Sequence, residues 1–96
     1  MFKKSVFKIG KNKFTGFTIK LQKANIVLIT ARKGYVMCGY LNLKIPDRLN
    51  EAACIVTGVK KPEDILSKKV EYVSKAAKLL GIKKGISAKK ALAKLS

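Results

Sequence analysis

Apolar residues in the first 45 positions recur at the spacing of strands. Phe2–Ile9 forms the first such stretch, and the turn-rich Gly10-Lys11-Asn12-Lys13 follows it. Phe17, Ile19 and Leu21 then alternate with Thr18, Lys20 and Gln22, a period of two that predicts a strand with its Phe17/Ile19/Leu21 side buried. Asn25–Ala31 contains the unbroken apolar run Ile26-Val27-Leu28-Ile29, which suits a strand covered on both faces. Arg32-Lys33-Gly34 reads as a hairpin connection in which Gly34 takes a positive φ. Tyr35–Leu43 is the fourth predicted strand.

Beyond residue 45 the pattern changes. Pro46 suits the first turn of a short helix, with Asp47 and Glu51 nearby and an end near Ala53. Cys54–Val59 reads as a fifth strand, so this helix serves as a crossover between two strands. Pro62-Glu63-Asp64 marks another helix start. Val70, Val73, Ala77 and Leu80 share one face of a predicted helix that Gly81 ends. Ser87 caps the last helix, in which Ala88, Ala91, Leu92 and Leu95 follow helical spacing. The expected fold class is α+β in one domain over residues 1–96. An antiparallel sheet portion of about four strands occupies residues 1–45. A helix–strand crossover and three C-terminal helices then make residues 46–96 mainly helical.

Composition narrows the chemistry. The 96 residues carry 22 Lys+Arg, 5 Asp+Glu and no His, a formal charge of +17. Without His there is no Ser–His or Cys–His nucleophile pair, no imidazole base and no His-ligated metal. No Cys or carboxylate cluster has metal-ligand spacing, so neither a metal nor a cofactor is expected. All five acids lie within residues 47–71, which are neutral overall; the flanking segments are purely basic. Twenty of the bases are Lys and only Arg32 and Arg48 are Arg. Lysine offers a point charge rather than a bidentate fork, so contact with nucleic acid or another polyanion would be non-specific. The competing source of this charge is AT-rich codon usage, which also accords with the nine isoleucines.

No apolar run approaches the roughly 20 residues that span a bilayer. The Lys-interrupted N-terminus is unlike a signal peptide, and two cysteines make no disulfide framework. A cytoplasmic protein without membrane partners is expected.

Three stretches carry candidate chemistry. Cys38, in Gly34-Tyr35-Val36-Met37-Cys38-Gly39-Tyr40, is a nucleophile or redox thiol on one reading and a small buried hydrophobe on the other. Gly34 and Gly39 have P-loop spacing, but Tyr40 and Leu41 replace the Lys and Ser/Thr that a P-loop needs. Thr57, Gly58, Lys60 and Lys61 leave a strand and enter a helix, an arrangement suited to an anion. Glu63 and Asp64 answer that demand internally on the competing reading, an acid-capped loop. Ala77 and Gly81 hint at a helix-turn-helix, but Lys84, Ser87 and Lys90 fall where its second helix needs apolar residues.

Gly34–Leu43, read with Thr57–Val59, Leu79-Leu80-Gly81-Ile82 and Gly85–Leu92, resembles the YunC-like family of small bacterial and archaeal proteins, a domain of unknown function. The stretch carrying Gly34, Tyr35, Met37, Cys38 and Gly39 is the most specific part of the match. The resemblance implies an α/β domain whose N-terminal β portion, residues 1–45, drives self-association into a tetramer. It implies no activity, and it supports Cys38 alone as a residue-level candidate. The lysines of the last helices are not part of it. The functional expectation is a non-catalytic oligomeric binding or scaffold protein with affinity for polyanions; the alternative is an enzyme or redox protein using the Cys38 thiol.

Overall fold

The structure, a computed structural model, describes residues 2–96. Six strands form one sheet in chain order: β1 (Phe2–Ile9), β2 (Asn12–Lys20), β3 (Asn25–Thr30), β4 (Gly34–Met37), β5 (Ala52–Ile55) and β6 (Tyr72–Val73). All neighbours are antiparallel except β4 and β5, which run parallel and are joined through helix α1 (Lys44–Leu49). Three further helices follow: α2 (Pro62–Ile65), α3 (Lys75–Leu79) and α4 (Ala88–Leu95). The mixed sheet and its helical layer make one α+β domain.

Directly paired residues point to the same side of a sheet, so the registers assign its two faces. The inner face presents Phe7 and Phe14, then Val27, Ile29, Val36, Cys54 and Val73. These pack with Ile65, Ala77, Ala88, Ala91, Leu92 and Leu95 of the helices into the main core. The outer face carries a smaller cluster of Met37, Ala53 and Ile55, against which Leu28, Tyr35 and Leu43 pack.

The strand–helix–strand crossover and the last helix match the sequence reading, but several boundaries do not. In β2 the buried positions are Phe14, Gly16 and Thr18, whereas Ile19 and Leu21 are exposed and Phe17 is half-buried. A Cβ on Gly16 would lie 2.5 Å from Phe7 and 2.7 Å from Pro62, so the bare backbone here lets the start of α2 sit on the sheet. The period of two was legible; which side faced the helices was not. Gly34 lies inside β4 and is not among the glycines with positive φ. Its role is close approach: a Cβ there would overlap the Ala52 carbonyl oxygen of the parallel neighbour.

The fourth strand stops at Met37 rather than Leu43, because Cys38–Leu41 closes a turn through Leu41 N–H to Cys38 C=O. Helix α1 ends at Leu49, where Asn50 turns left-handed with φ 59°, and β5 therefore starts at Ala52 rather than Cys54. The helix expected over 70–80 is replaced by β6 and the one-turn α3. Val70 instead bonds to a neighbouring segment, donating to Ile86 and accepting from Gly85. Ser74 starts α3 by accepting from Ala77 N–H, and its fully buried hydroxyl also accepts from Ala53 N–H and donates to Glu51 C=O. That single side chain ties β5 to α3. Ser87 caps α4 through Lys90 N–H.

Candidate functional site

Strands β4 and β5 end side by side because they are parallel, and the two separate candidate stretches of the sequence meet there. Cys38, Gly39 and Tyr40 leave β4 while Thr57, Gly58, Val59 and Lys60 leave β5, and together with Ala24 and Asn25 they line a cavity of about 350 Å³. A Cβ on Gly39 would stand 3.1 Å from the Thr57 methyl, so glycine lets the two exits lie together. Gly58 takes φ +74°, which turns the chain toward α2.

The thiol in this cavity is spoken for. Cys38 is 3% exposed, and its sulfur accepts a hydrogen bond from Val27 N–H at 3.3 Å. Cys38 N–H in turn donates to Val27 C=O at 2.9 Å. The residue thereby continues the β3/β4 ladder one step past the end of the strand, with sulfur in place of a carbonyl. Cys54 is fully buried on the inner face, and burial pushes its thiol up to about 11. Both cysteines are free.

The loop before α2 is capped from within. Asp64 accepts from Lys60 N–H at 3.0 Å and Lys61 N–H at 3.3 Å, while Asn25 Nδ2 donates to Lys60 C=O. The Lys60 and Lys61 N–H groups are therefore already paired with a carboxylate of the chain itself. Thr57 likewise donates its hydroxyl proton to Glu71. What Lys60 and Lys61 have left to offer is their side chains, both exposed.

Other residues of the Gly34–Gly39 motif pack within the sheet or bond to Glu51. Met37 is buried in the outer cluster, and Gly34 sets the β4/β5 approach. Tyr35 donates to Glu51 Oε1 at 2.8 Å. Its phenol is pushed up to about 12, first by burial, then by that hydrogen bond and the Glu51 charge. A raised folded value means that Tyr35 favours the folded state below its ordinary 10.0, and that this contribution is lost as pH climbs through about 12. Among the described residues no group of three or more Cys, Asp or Glu side chains converges as a metal would need. No helix among them is long and apolar enough to cross a membrane.

The family model for a domain of unknown function, DUF1805, matches residues 37–95. An uncharacterised protein, YunC of Bacillus subtilis, is 36% identical over 86 residues, which is 85% of each chain. The chain belongs to the DUF1805 family. Its resemblance to YunC-like proteins is thereby established over most of its length. A crystal structure of a protein of unknown function, TA1206 from Thermoplasma acidophilum, superposes with a TM-score of 0.94 at 34% identity. That match covers all of this chain and 94% of the other, so the DUF1805 fold described here recurs in a solved structure.

Sequence reasoning missed one feature because it depends on strand register. Lys3 and Ser5 of β1, Thr18 and Lys20 of β2, Asn25 of β3, Lys60 and Lys61 before α2, and Pro62 and Glu63 at its start line a second cleft, of about 220 Å³. The only advance signal was Lys20, which follows the β2 alternation at a position that the assumed register placed toward solvent.

Proposed function

We propose that this protein is a homo-oligomeric, non-catalytic binding or scaffold protein that assembles through the outer face of its sheet and holds polyanions on its basic surface. The observation that carries the reading is the uncovered apolar outer face. Phe2 and Val6 of β1 are 62% and 66% exposed, and Ile19 and Tyr72 on the same side are 38% and 56% exposed. Phe17, whose ring lies 5.8 Å from that of Phe2, and Leu28 continue this surface toward the buried Met37/Ala53/Ile55 cluster. An antiparallel sheet with one face on its helices ordinarily presents polar residues on the other. Here Phe2, Val6, Phe17 and Ile19 stand on the outer face as well, among Lys4, Lys8, Lys13 and Thr15.

A second copy is the occupant that fits. The face can pair with itself about a two-fold axis, and most of it lies within residues 1–45, the portion expected to drive self-association. Lys4 stands on this face between Phe2 and Val6, and Lys8 and Lys13 stand opposite each other at one end of it, so a two-fold arrangement has to keep these lysines away from their copies. Edge-to-edge pairing through β1 is less suited, since Lys3, Lys4 and Lys8 lie along that strand. Assembly to a tetramer would bring together four chains of +17 each. Light scattering at micromolar concentration and physiological salt is expected to give a multiple of the 10.6 kDa chain mass. Substituting both Val6→Asp and Ile19→Asp is expected to return it to one chain. A native monomer under these conditions overturns the assembly reading.

The alternative, chemistry at Cys38, has one observation in its favour: the residue lines a cavity. Its burial and its bond to Val27 give the thiol a structural task instead.

A further inference from the structure

We infer that the cleft between β1, β2 and the loop entering α2 is a phosphoryl-binding site, and that it is the place where the proposed polyanion affinity resides. The inference rests on that polyanion reading and gives it an address. Four lysines from three separate stretches of chain converge on the cleft: Lys3 from β1, Lys20 from β2, and Lys60 and Lys61 from the loop. Glu63 is the one acid in its lining, so the local balance is strongly positive.

The geometry explains why this corner is polar when the rest of the inner face is not. Thr18, Lys20 and Asn25 lie on the side of the sheet that the helices cover, since Thr18 pairs with Val27 and Lys20 with Asn25. The helical layer stops short of them at Pro62, which rests against Gly16. Beyond it, the inner face continues as Ser5, Thr18 and Asn25 rather than as core. Thr18 is 8% exposed and floors the cleft. The walls are held rigidly: Asn25 Nδ2 donates to Lys60 C=O at 2.8 Å, and Asp64 fastens Lys60 N–H and Lys61 N–H. Lys60 and Lys61 thereby line the cleft from a stretch whose N–H groups at these two residues already have a partner in Asp64.

Repulsion among four lysines in one small cleft is relieved by an anion, and lysine ammoniums surrounding hydroxyl and amide side chains suit a phosphoryl group. A volume of about 220 Å³ is ample for a phosphoryl group or a pyrophosphate. Lys3, Thr18 and Lys20 also border an adjoining cavity of about 320 Å³, walled by Phe2, which leaves room for whatever the phosphoryl group is attached to. Free phosphoanions and a nucleic-acid backbone share this chemistry.

The test measures binding of pyrophosphate and of a 20-nucleotide oligothymidylate, each from 50 to 300 mM salt. The chains compared are the native one, a Lys20→Ala/Lys60→Ala variant and a Lys83→Ala/Lys84→Ala control, whose lysines lie between α3 and α4. All four lysines are exposed, and circular dichroism checks that each variant is folded. The cleft variant is expected to lose pyrophosphate binding while the control keeps it. On oligothymidylate the cleft variant is expected to flatten the plot of log affinity against log salt by about 0.7 per lysine, or about 1.4 for the pair. Selective loss for either probe supports the site. Loss for pyrophosphate identifies a free phosphoanion as the ligand, and loss for oligothymidylate alone identifies backbone phosphates. Equal losses in cleft variant and control overturn the site and leave general polyanion binding standing. No binding of either probe at 50 mM salt overturns both.

Discussion

Single residues in this fold carry more than one bond each, and Cys38 is the clearest instance. Past Met37 the β4 backbone curls into a turn and has no carbonyl left to offer Val27 N–H. The Cys38 sulfur takes that place at 3.3 Å, in a position that is 97% shielded from solvent. A buried N–H without a partner costs about 1–3 kcal/mol, well above the net value of a made hydrogen bond. Cys38→Ala is therefore expected to lower the unfolding free energy by about that amount, and Cys38→Ser, which keeps an acceptor, to recover part of it. Urea denaturation of the three proteins checks the order. Equal stability of native and Cys38→Ala chains, with rapid alkylation of the native thiol, would return Cys38 to the role of nucleophile. The presence of this cysteine within an apolar strand was readable from the sequence, with a reactive and a structural thiol as its two alternatives. The acceptor role was not, since it depends on where β4 stops.

Elements were legible wherever local signals agreed. Ser87 followed by Ala88, Ala91, Leu92 and Leu95 yields α4 with its cap, and Pro62-Glu63-Asp64 yields the start of α2. Where spacing was compatible with two structures, tertiary pairing decided. Val70, Val73, Ala77 and Leu80 fit one helical face, yet Val73 pairs with Cys54 in β6, and Ser74 then starts α3. The β4/β5 pair shows the same dependence. It is the one parallel contact in the sheet, and it needs Gly34 against the Ala52 carbonyl. Gly34→Ala is expected to push these strands apart at a cost of about 1–3 kcal/mol, with line broadening or shifts confined mainly to both strands in amide spectra. Gly10→Ala serves as the contrast. It meets nothing within 4 Å and bears only the strain of φ +62°, about 1 kcal/mol. If Gly34→Ala costs less than Gly10→Ala and leaves the amide signals of both strands in place, close approach is not what Gly34 provides.

At the scale of the whole molecule, charge and shape act against each other in a way that salt can separate. The chain measures 35 × 31 × 22 Å and carries +17. At 10 mM salt the screening length, about 30 Å, is as large as the molecule, so every lysine repels every other. At 150 mM it falls to about 8 Å and only neighbouring lysines still interact. Most of the relief therefore comes between these two concentrations. The thermal midpoint is expected to rise by about 5 °C over that interval, equivalent to about 1 kcal/mol for a chain of this length, and to change little on further addition. Because association also stabilises, the comparison is made at one fixed protein concentration. The same screening has opposite consequences for the two proposed activities. Copies meeting through the outer face lose mutual repulsion, so assembly strengthens with salt. A phosphoryl group in the Lys3/Lys20/Lys60/Lys61 cleft loses attraction, so binding weakens. Light scattering and oligothymidylate binding recorded on one salt series should therefore move in opposite directions. If both fall as salt rises, assembly is being driven by charge rather than by Phe2, Val6, Phe17 and Ile19, and the outer face is not the interface.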